Sequence, residues 1–363
     1  MEKKKVLIVS YYWPPSGGVG VNRCLKFAKY LRDFGWEPIV YAPSNASYPY
    51  LDETNFKHVH SDMLVLKQPI REPFELFKKL SGRKKEDSAN PVYVRDRKRS
   101  KIDEFAIWVR GNFFIPDARS LWIKPSVRYL KKWLKENPVD AILTDGPPHT
   151  NTVIGCRLSQ ALNIPWLADF QDPWTQVDYY QMLKIGRRAN RKHHKLEQEC
   201  FATAKKITIA SPTWAKDLES IGANNVTPIF WGYDDDDFPT DFPEADNTFS
   251  IVHAGQLGYD RRPVAFLKLL GELKKSNPEF GKLLRLKFAG TVDYAIVEMI
   301  KDNGLEENYI PLGNIIRPNA IELTLKAQML LLPLNIADNA KGRIPGKLFE
   351  NLRASKPILV LGP

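Results

Sequence analysis

Short apolar runs alternate with longer amphipathic stretches along most of this chain. Residues 6–10, 37–42, 63–68, 141–144, 165–169 and 207–211 are apolar runs too short and too rich in β-branched residues for helices. Between them, residues 21–34, 121–136, 152–162 and 190–204 repeat apolar positions at helical spacing. The alternation restarts with strands predicted at 249–254, 284–289, 310–312, 329–333 and 357–361 and a helix at 263–275. Strand and helix in strict alternation predict parallel sheets covered on both faces. Two segments break the rhythm. Residues 52–117 carry charge runs and few periodic apolar positions, which predicts a loop-rich excursion; residues 231–247 are acidic and proline-bearing, which predicts an interdomain connection. The expected organisation is α/β, with two doubly wound Rossmann-like domains at 1–232 and 248–363 joined by a linker at 233–247. Such domains should face each other across a cleft and bind ligands beyond the carboxyl ends of their strands. Asp234 to Asp237 are expected to form a solvated loop, because no second group stands at metal-ligand spacing from them.

The first strand leads into Ser10-Tyr-Tyr-Trp-Pro-Pro-Ser-Gly-Gly-Val-Gly20. Gly17, Gly18 and Gly20 open a helix whose inner face carries Leu25, Phe27, Ala28 and Leu31. Glycines there leave backbone N–H groups uncovered and suit a phosphate or another anion. The alternative is a turn that merely lets helix and strand pack closely.

A length of 363 residues favours two domains. Apolar residues at 43% and charged residues at 26% are those of a globular protein. No apolar run approaches the ~18 residues of a membrane-spanning helix, and the first residues lack a signal-peptide pattern, so a cytoplasmic location is expected. Cys24, Cys156 and Cys200 lack metal-ligand spacing and are expected as small buried residues. The net charge of +11 is concentrated between Lys78 and Lys135, where Trp108, Phe113, Phe114, Trp122 and Trp133 are interleaved. That composition suits anionic lipid headgroups and peripheral contact with the inner face of a membrane. A solvated basic face is the alternative; no motif supports nucleic acid. His193 and His194, set among lysines, are expected to face solvent.

Several motifs fall at the predicted strand ends. They are Tyr12-Trp-Pro-Pro-Ser-Gly-Gly-Val-Gly20, Asp117-Ala-Arg-Ser-Leu-Trp122, Thr144-Asp-Gly-Pro-Pro-His149, Ala168-Asp-Phe-Gln-Asp-Pro-Trp174, Gly232-Tyr-Asp, His253-Ala-Gly-Gln-Leu and Gly346-Lys-Leu-Phe-Glu350 with Lys356-Pro. In order and spacing they resemble a bacterial glycosyltransferase of family 4, a resemblance spanning nearly the whole chain. It implies the two-domain GT-B fold, a retaining and metal-independent transfer, and a nucleotide-diphosphate sugar as substrate, with no cofactor. The acceptor implied is a glycan or a lipid-linked glycan in cell-surface polysaccharide synthesis.

The family's Gly-Arg-Leu-x-x-x-Lys pattern falls here on Gly255, Gln256 and Arg261, so one cation is replaced by glutamine. The diphosphate is then expected to rely on Arg261 and Arg262, with Lys347 and Arg343 nearby, since a leaving diphosphate needs cations and backbone N–H groups. Gly346 should present N–H groups to phosphate, and Glu350 should accept the ribose hydroxyls. The first glutamate of the family's Glu-x7-Glu motif falls on Gly342. On the acceptor side, His149 is a candidate acid, base or hydrogen-bonding group. Asp169 and Asp172 flank Phe170-Gln171, where a carboxylate can orient an acceptor hydroxyl; the alternative for His149 and Asp172 is a helix start and a turn cap.

Other readings remain at this point. A dinucleotide-binding oxidoreductase needs its glycines tight behind the strand, yet six residues separate Ser10 from Gly17. A nucleotide-sugar epimerase shares the GT-B fold, and the substitutions at Gln256 and Gly342 leave room for a non-catalytic binding protein. Residues 357–361 read as a central strand with nothing to follow, so the second domain is expected to be C-terminally incomplete, with one sheet face bare.

Overall fold

Alternate residues of the first strand serve two different cores. β1 (Lys4–Val9) buries Val6 and Ile8 against α1 (Val19–Tyr30) on one face; Leu7 and Val9 join the core on the other. Period-two alternation of apolar side chains with no polar face is what a sheet covered on both sides requires. The computed structural model describes residues 3–72, 101–336 and 340–362. Among them the chain falls into two compact units that part between Phe230 and Trp231.

The first unit contains β1, β2 (Trp36–Pro43), β3 (Val65–Gln68), β4 (Ala141–Gly146), β5 (Trp166–Phe170), β6 (Lys206–Ile209) and β7 (Val226–Pro228), ordered β3-β2-β1-β4-β5-β6-β7 and wholly parallel. Leu7 lies opposite both Ile39 and Ile142. Its further helices are α2 (Lys101–Phe113), α3 (Ile123–Glu136), α4 (His149–Leu162), α5 (Arg187–Thr203) and α6 (Pro212–Ser220). The sequence reading did not predict β7, α2 or α6. Ser211, whose side chain accepts from the Trp214 N–H, and Pro212 at the first turn mark the start of α6.

The second unit orders its strands β10-β9-β8-β11-β12, again parallel, with β8 (Phe249–Ala254), β9 (Leu284–Ala289), β10 (Tyr309–Gly313), β11 (Met329–Pro333) and β12 (Ile358–Leu361). Its helices are α7 (Val264–Ser276), α8 (Pro278–Leu283), α9 (Tyr294–Asp302), α10 (Arg317–Lys326) and α11 (Lys347–Arg353). Ile251 packs with Phe266, Leu267 and Ile296 on one face, and Val252 packs with Ile321 and Leu325 on the other. β12 stands at the sheet edge rather than in its centre, and Val360 is 48% exposed.

Three expectations are corrected by packing. Asp234 and Asp237 are buried rather than solvated, and Asp237 Oδ2 lies 2.9 Å from Arg317 Nη2. His193 is buried and accepts from Trp174 Nε1 at 3.1 Å; only His194 is exposed. Trp122 belongs to the core, stacked on Tyr41 at 5.0 Å, and Trp133 packs against the same core. Of the basic stretch between Lys78 and Lys135, residues 78–100 lie outside the described residues. Phe105, Trp108 and Phe113 are exposed on α2, and Lys124, Arg128, Lys132 and Lys135 are exposed on α3. No helix among the described residues is long and apolar enough to cross a membrane. All three cysteines are free and buried.

Candidate functional site

Strand order reverses between β1 and β4 in the first unit and between β8 and β11 in the second. Loops leaving adjacent strands in opposite directions there open a crevice, which is where doubly wound sheets bind ligands. The candidate residues distribute over these two switch points, each described within its own unit.

In the first unit, the loop after β1 carries the glycines. Gly18, at φ 82°, is the N-cap of α1 and lies in the left-handed region that glycine tolerates. A Cβ on Gly17 or Gly18 would overlap the ring of Tyr50, and the Gly17 N–H donates to the Tyr50 carbonyl at 3.0 Å. Close packing of Tyr50 thus accounts for Gly17 and Gly18, while Gly20 lies in the first turn of α1, against the Tyr12 ring. α1 begins with no side-chain cap and no acidic residue in its first turn, so its positive end is uncompensated by its own residues.

His149 is the first residue of α4 and is 7% exposed. Its ring stacks on Trp174 at 4.9 Å and tilts against Phe170 at 5.2 Å; Nδ1 lies 3.3 Å from Thr152 Oγ1. Burial, with a smaller contribution from His193, pushes its pKa down to about 3. At neutral pH it is an uncharged imidazole. Burial likewise lowers His193 to about 4. Asp169, at the end of β5, is fully engaged. Arg23 Nε and Nη2 donate to its two oxygens at 2.5 and 2.9 Å, and Thr208 Oγ1 donates at 2.6 Å. Arg23 also donates to the carbonyls of Ile229 and Phe230 at 3.0 and 3.2 Å. Both members of the pair are at least 95% buried.

Asp172 is half-buried on the loop that follows, and after burial it is the largest influence raising the pKa of Tyr179. Asp117 holds the start of α4 by accepting from the Thr150 N–H at 2.8 Å and from Thr150 Oγ1 at 2.9 Å. Asp145, one strand away, accepts from Ser10 Oγ at 3.0 Å and from Asn151 Nδ2 at 2.7 Å, and burial raises its pKa to about 7.

In the second unit, Gly255 follows β8 at φ 136°, a conformation that side chains rarely adopt. A Cβ on Gly255 would overlap the Lys347 ammonium, and a Cβ on Gly290 would overlap the Gly255 backbone. The glycines form a floor on which Lys347, the first residue of α11, rests its charge. Lys347 makes no hydrogen bond and no ion pair among the described residues. Burial, with a further contribution from Arg261 that Glu350 partly offsets, lowers its pKa to about 7.

Arg261 Nε lies 3.4 Å from Asp260 Oδ2, and Arg262 Nε is buried without a hydrogen bond. Beneath them His253 donates from Nδ1 to the Leu331 carbonyl at 3.0 Å, and burial together with Lys347 keeps it uncharged, with a pKa of about 3. Glu350 Oε1 lies 2.8 Å from Arg317 Nη2, so one carboxylate oxygen is already occupied. Gly346 precedes α11 and packs beneath the Trp231 ring, 3.3 Å from where its Cβ would stand. Sequence reasoning included Lys347, Arg261 and Glu350 but missed Arg23, Tyr50, Arg317 and Asp237. No local signal marks Arg317, whose partners lie 80 and 33 residues away in the chain.

No protein-family model matches the sequence, and no curated protein matches it. Solved structures do match. UDP-bound HepE of Anabaena superposes with a TM-score of 0.60 at 13% identity, over 98% of this chain and 80% of that one. The fold is GT-B-like. Sucrose-phosphate synthase of Thermosynechococcus elongatus matches with a TM-score of 0.60 at 12% identity, over 99% of this chain and 81% of that one. WaaG, a glycosyltransferase of lipopolysaccharide biosynthesis, matches at 0.55 and 14% identity, over 98% and 80%. At these identities the likeness is one of fold; in this GT-B-like chain, function has to be argued from the site.

Proposed function

We propose that this chain is a glycosyltransferase. It takes a nucleotide-diphosphate sugar in a donor domain at 248–363, linked by 233–247 to an acceptor domain at 1–232. The observation that carries this reading is Lys347, a half-buried ammonium that makes no hydrogen bond and no ion pair among the described residues, set near Arg261 on a glycine floor at the β8/β11 switch point. A poorly solvated ammonium with a guanidinium nearby and no ion pair of its own is favourable around a diphosphate. Breaking the bond from sugar to diphosphate leaves negative charge on the phosphate oxygens. Lys347, Arg261 and Arg262 are placed to stabilise it without reorganising. Gly346 lets the nucleotide approach the start of α11, and the Glu350 oxygen not taken by Arg317 can accept a ribose hydroxyl. The complex of HepE with UDP supports testing uridine nucleotides first.

On the acceptor side, Asp172 is assigned to orient an acceptor hydroxyl, since Asp169 is engaged by Arg23 and Thr208. His149, neutral at the start of α4, serves by hydrogen bonding, and Asp169 positions the loop through Arg23. The uncapped start of α1 beyond Gly18 and Gly20 offers N–H groups to an anionic group of the substrate. Exposed aromatic side chains on α2 and cationic ones on α3 support a glycan or lipid-linked acceptor at the cytoplasmic face of an anionic membrane.

Thermal unfolding in the presence of UDP-, GDP- and ADP-sugars tests the reading. A true donor at one hundred times its Kd adds about 2.7 kcal/mol of stability, and the absence of a shift with every nucleotide sugar at millimolar concentration removes it. Turnover provides the second test. Asp172→Asn is expected to lower kcat while leaving the Kd for nucleotide unchanged, because the carboxylate serves the acceptor. A raised nucleotide Kd with kcat preserved would move Asp172 to the sugar-donor site.

A further inference from the structure

Resting on the donor-site reading, we propose that the nucleoside diphosphate is taken up together with a proton, and that Lys347 carries that proton. The groups that face the ammonium come from three elements. Arg261, on the loop after β8, repels it; Glu350, one turn along α11, attracts it; and His253, in β8, is uncharged. Glu350 also pairs with Arg317, which it shares with Asp237. Gly255 presses on the ammonium from the floor and leaves no space for a side chain there. Without a ligand the site therefore solvates the charge poorly, and burial together with Arg261 outweighs Glu350 and lowers the Lys347 pKa to about 7.

A diphosphate opposes the repulsion from Arg261. It brings two or more negative charges to within contact of Lys347 and Arg261. One facing charge a few ångströms away is enough to hold Lys347 protonated beyond pH 8. The proton comes from solvent, and no covalent bond changes. Because the bound state holds the additional proton, affinity falls as pH rises above 7, by up to about tenfold per unit.

Isothermal titration calorimetry with UDP, ADP, GDP and inorganic pyrophosphate, in two buffers of different ionisation enthalpy, reads this directly. From a titration near 7 in the ligand-free site, uptake is expected to be ~0.9 proton per nucleoside diphosphate at pH 8, where the terminal phosphate, with a second pKa of about 6, is already ionised. Lys347→Arg, which keeps the charge but cannot release it, should bind with no uptake at pH 8. If that variant does not bind, Lys347→Met should bind more weakly, again with no uptake. Binding to the native protein with uptake below about 0.2 at pH 8 overturns the inference and leaves the donor reading standing. Equal uptake by Lys347→Arg or Lys347→Met and the native protein also overturns it. Failure of all four probes to bind removes the donor reading and this inference with it.

Discussion

Replacing Arg23 by methionine is expected to lower the free energy of unfolding by about 3–5 kcal/mol, the usual cost of removing one partner from a buried ion pair. Arg23 lies on α1, yet its guanidinium reaches the end of β5, where it meets both oxygens of Asp169, and continues to the carbonyls of Ile229 and Phe230. Methionine keeps the length and apolar stem but leaves a buried carboxylate with only the Thr208 hydroxyl to support it. Two backbone carbonyls lose their donor at the same time. Asp169→Asn should also destabilise, because it leaves the Arg23 guanidinium buried without an anion and turns one of the two acceptors that Arg23 meets into a donor. The double variant Arg23→Met, Asp169→Leu should recover part of the loss, since an ion pair removed whole leaves no stranded charge. Urea unfolding followed by tryptophan fluorescence measures all three. A loss below about 1 kcal/mol for Arg23→Met would mean that the pair is solvated and contributes as a surface pair does.

The second large effect is on ligand binding. Lys347→Glu should weaken binding of a nucleoside diphosphate by more than a hundredfold. Losing one charge-assisted contact costs about 1.5–3 kcal/mol. A new carboxylate about 4 Å from a phosphate charge adds repulsion of up to roughly 4 kcal/mol at an effective dielectric of 20. Folding should respond in the opposite direction. In the empty protein Lys347 is a desolvated cation beside Arg261, so a carboxylate in its place meets an attractive partner. The urea midpoint is therefore expected to hold or rise while binding disappears. That divergence separates a site held ready for an anion from a merely structural lysine. Binding within threefold of the native protein would place the diphosphate elsewhere.

The strands of the second sheet show how much a local pattern carries. Residues 249–254, 284–289 and 329–333 were delimited from apolar runs alone, and β8, β9 and β11 occupy those limits. β8 and β11 are buried at most of their residues, whereas β9 alternates buried Leu284, Leu286 and Phe288 with half-buried Arg285 and Lys287, so apolar positions mark the span of each strand. β7 has three half-buried residues at a sheet edge and leaves no such trace. Trp122 and His193 were misread for one reason. Each sits among cationic neighbours in sequence, and only a partner from elsewhere, Tyr41 for one and Trp174 for the other, makes burial favourable.

The candidate site divides along the same line. Glycine at 18 and 255 is legible in the sequence, because backbone conformations are written in residue type. What the glycines face is not: Tyr50 crowds the first and Lys347 the second. Asp169 and Lys347 could be singled out from their position in the motifs, but the partners they meet depend on the fold. Asp169 receives a guanidinium from 146 residues away, whereas Lys347 receives burial and a second cation. The sequence by itself determined the alternation of strand and helix, the two parallel sheets and the strand ends where chemistry gathers, since periodicity and glycine placement act over a few neighbouring residues. Only the tertiary structure decided which charges are paired and which are left unpaired, because desolvation and Coulomb energies depend on distances between residues that the chain order keeps far apart.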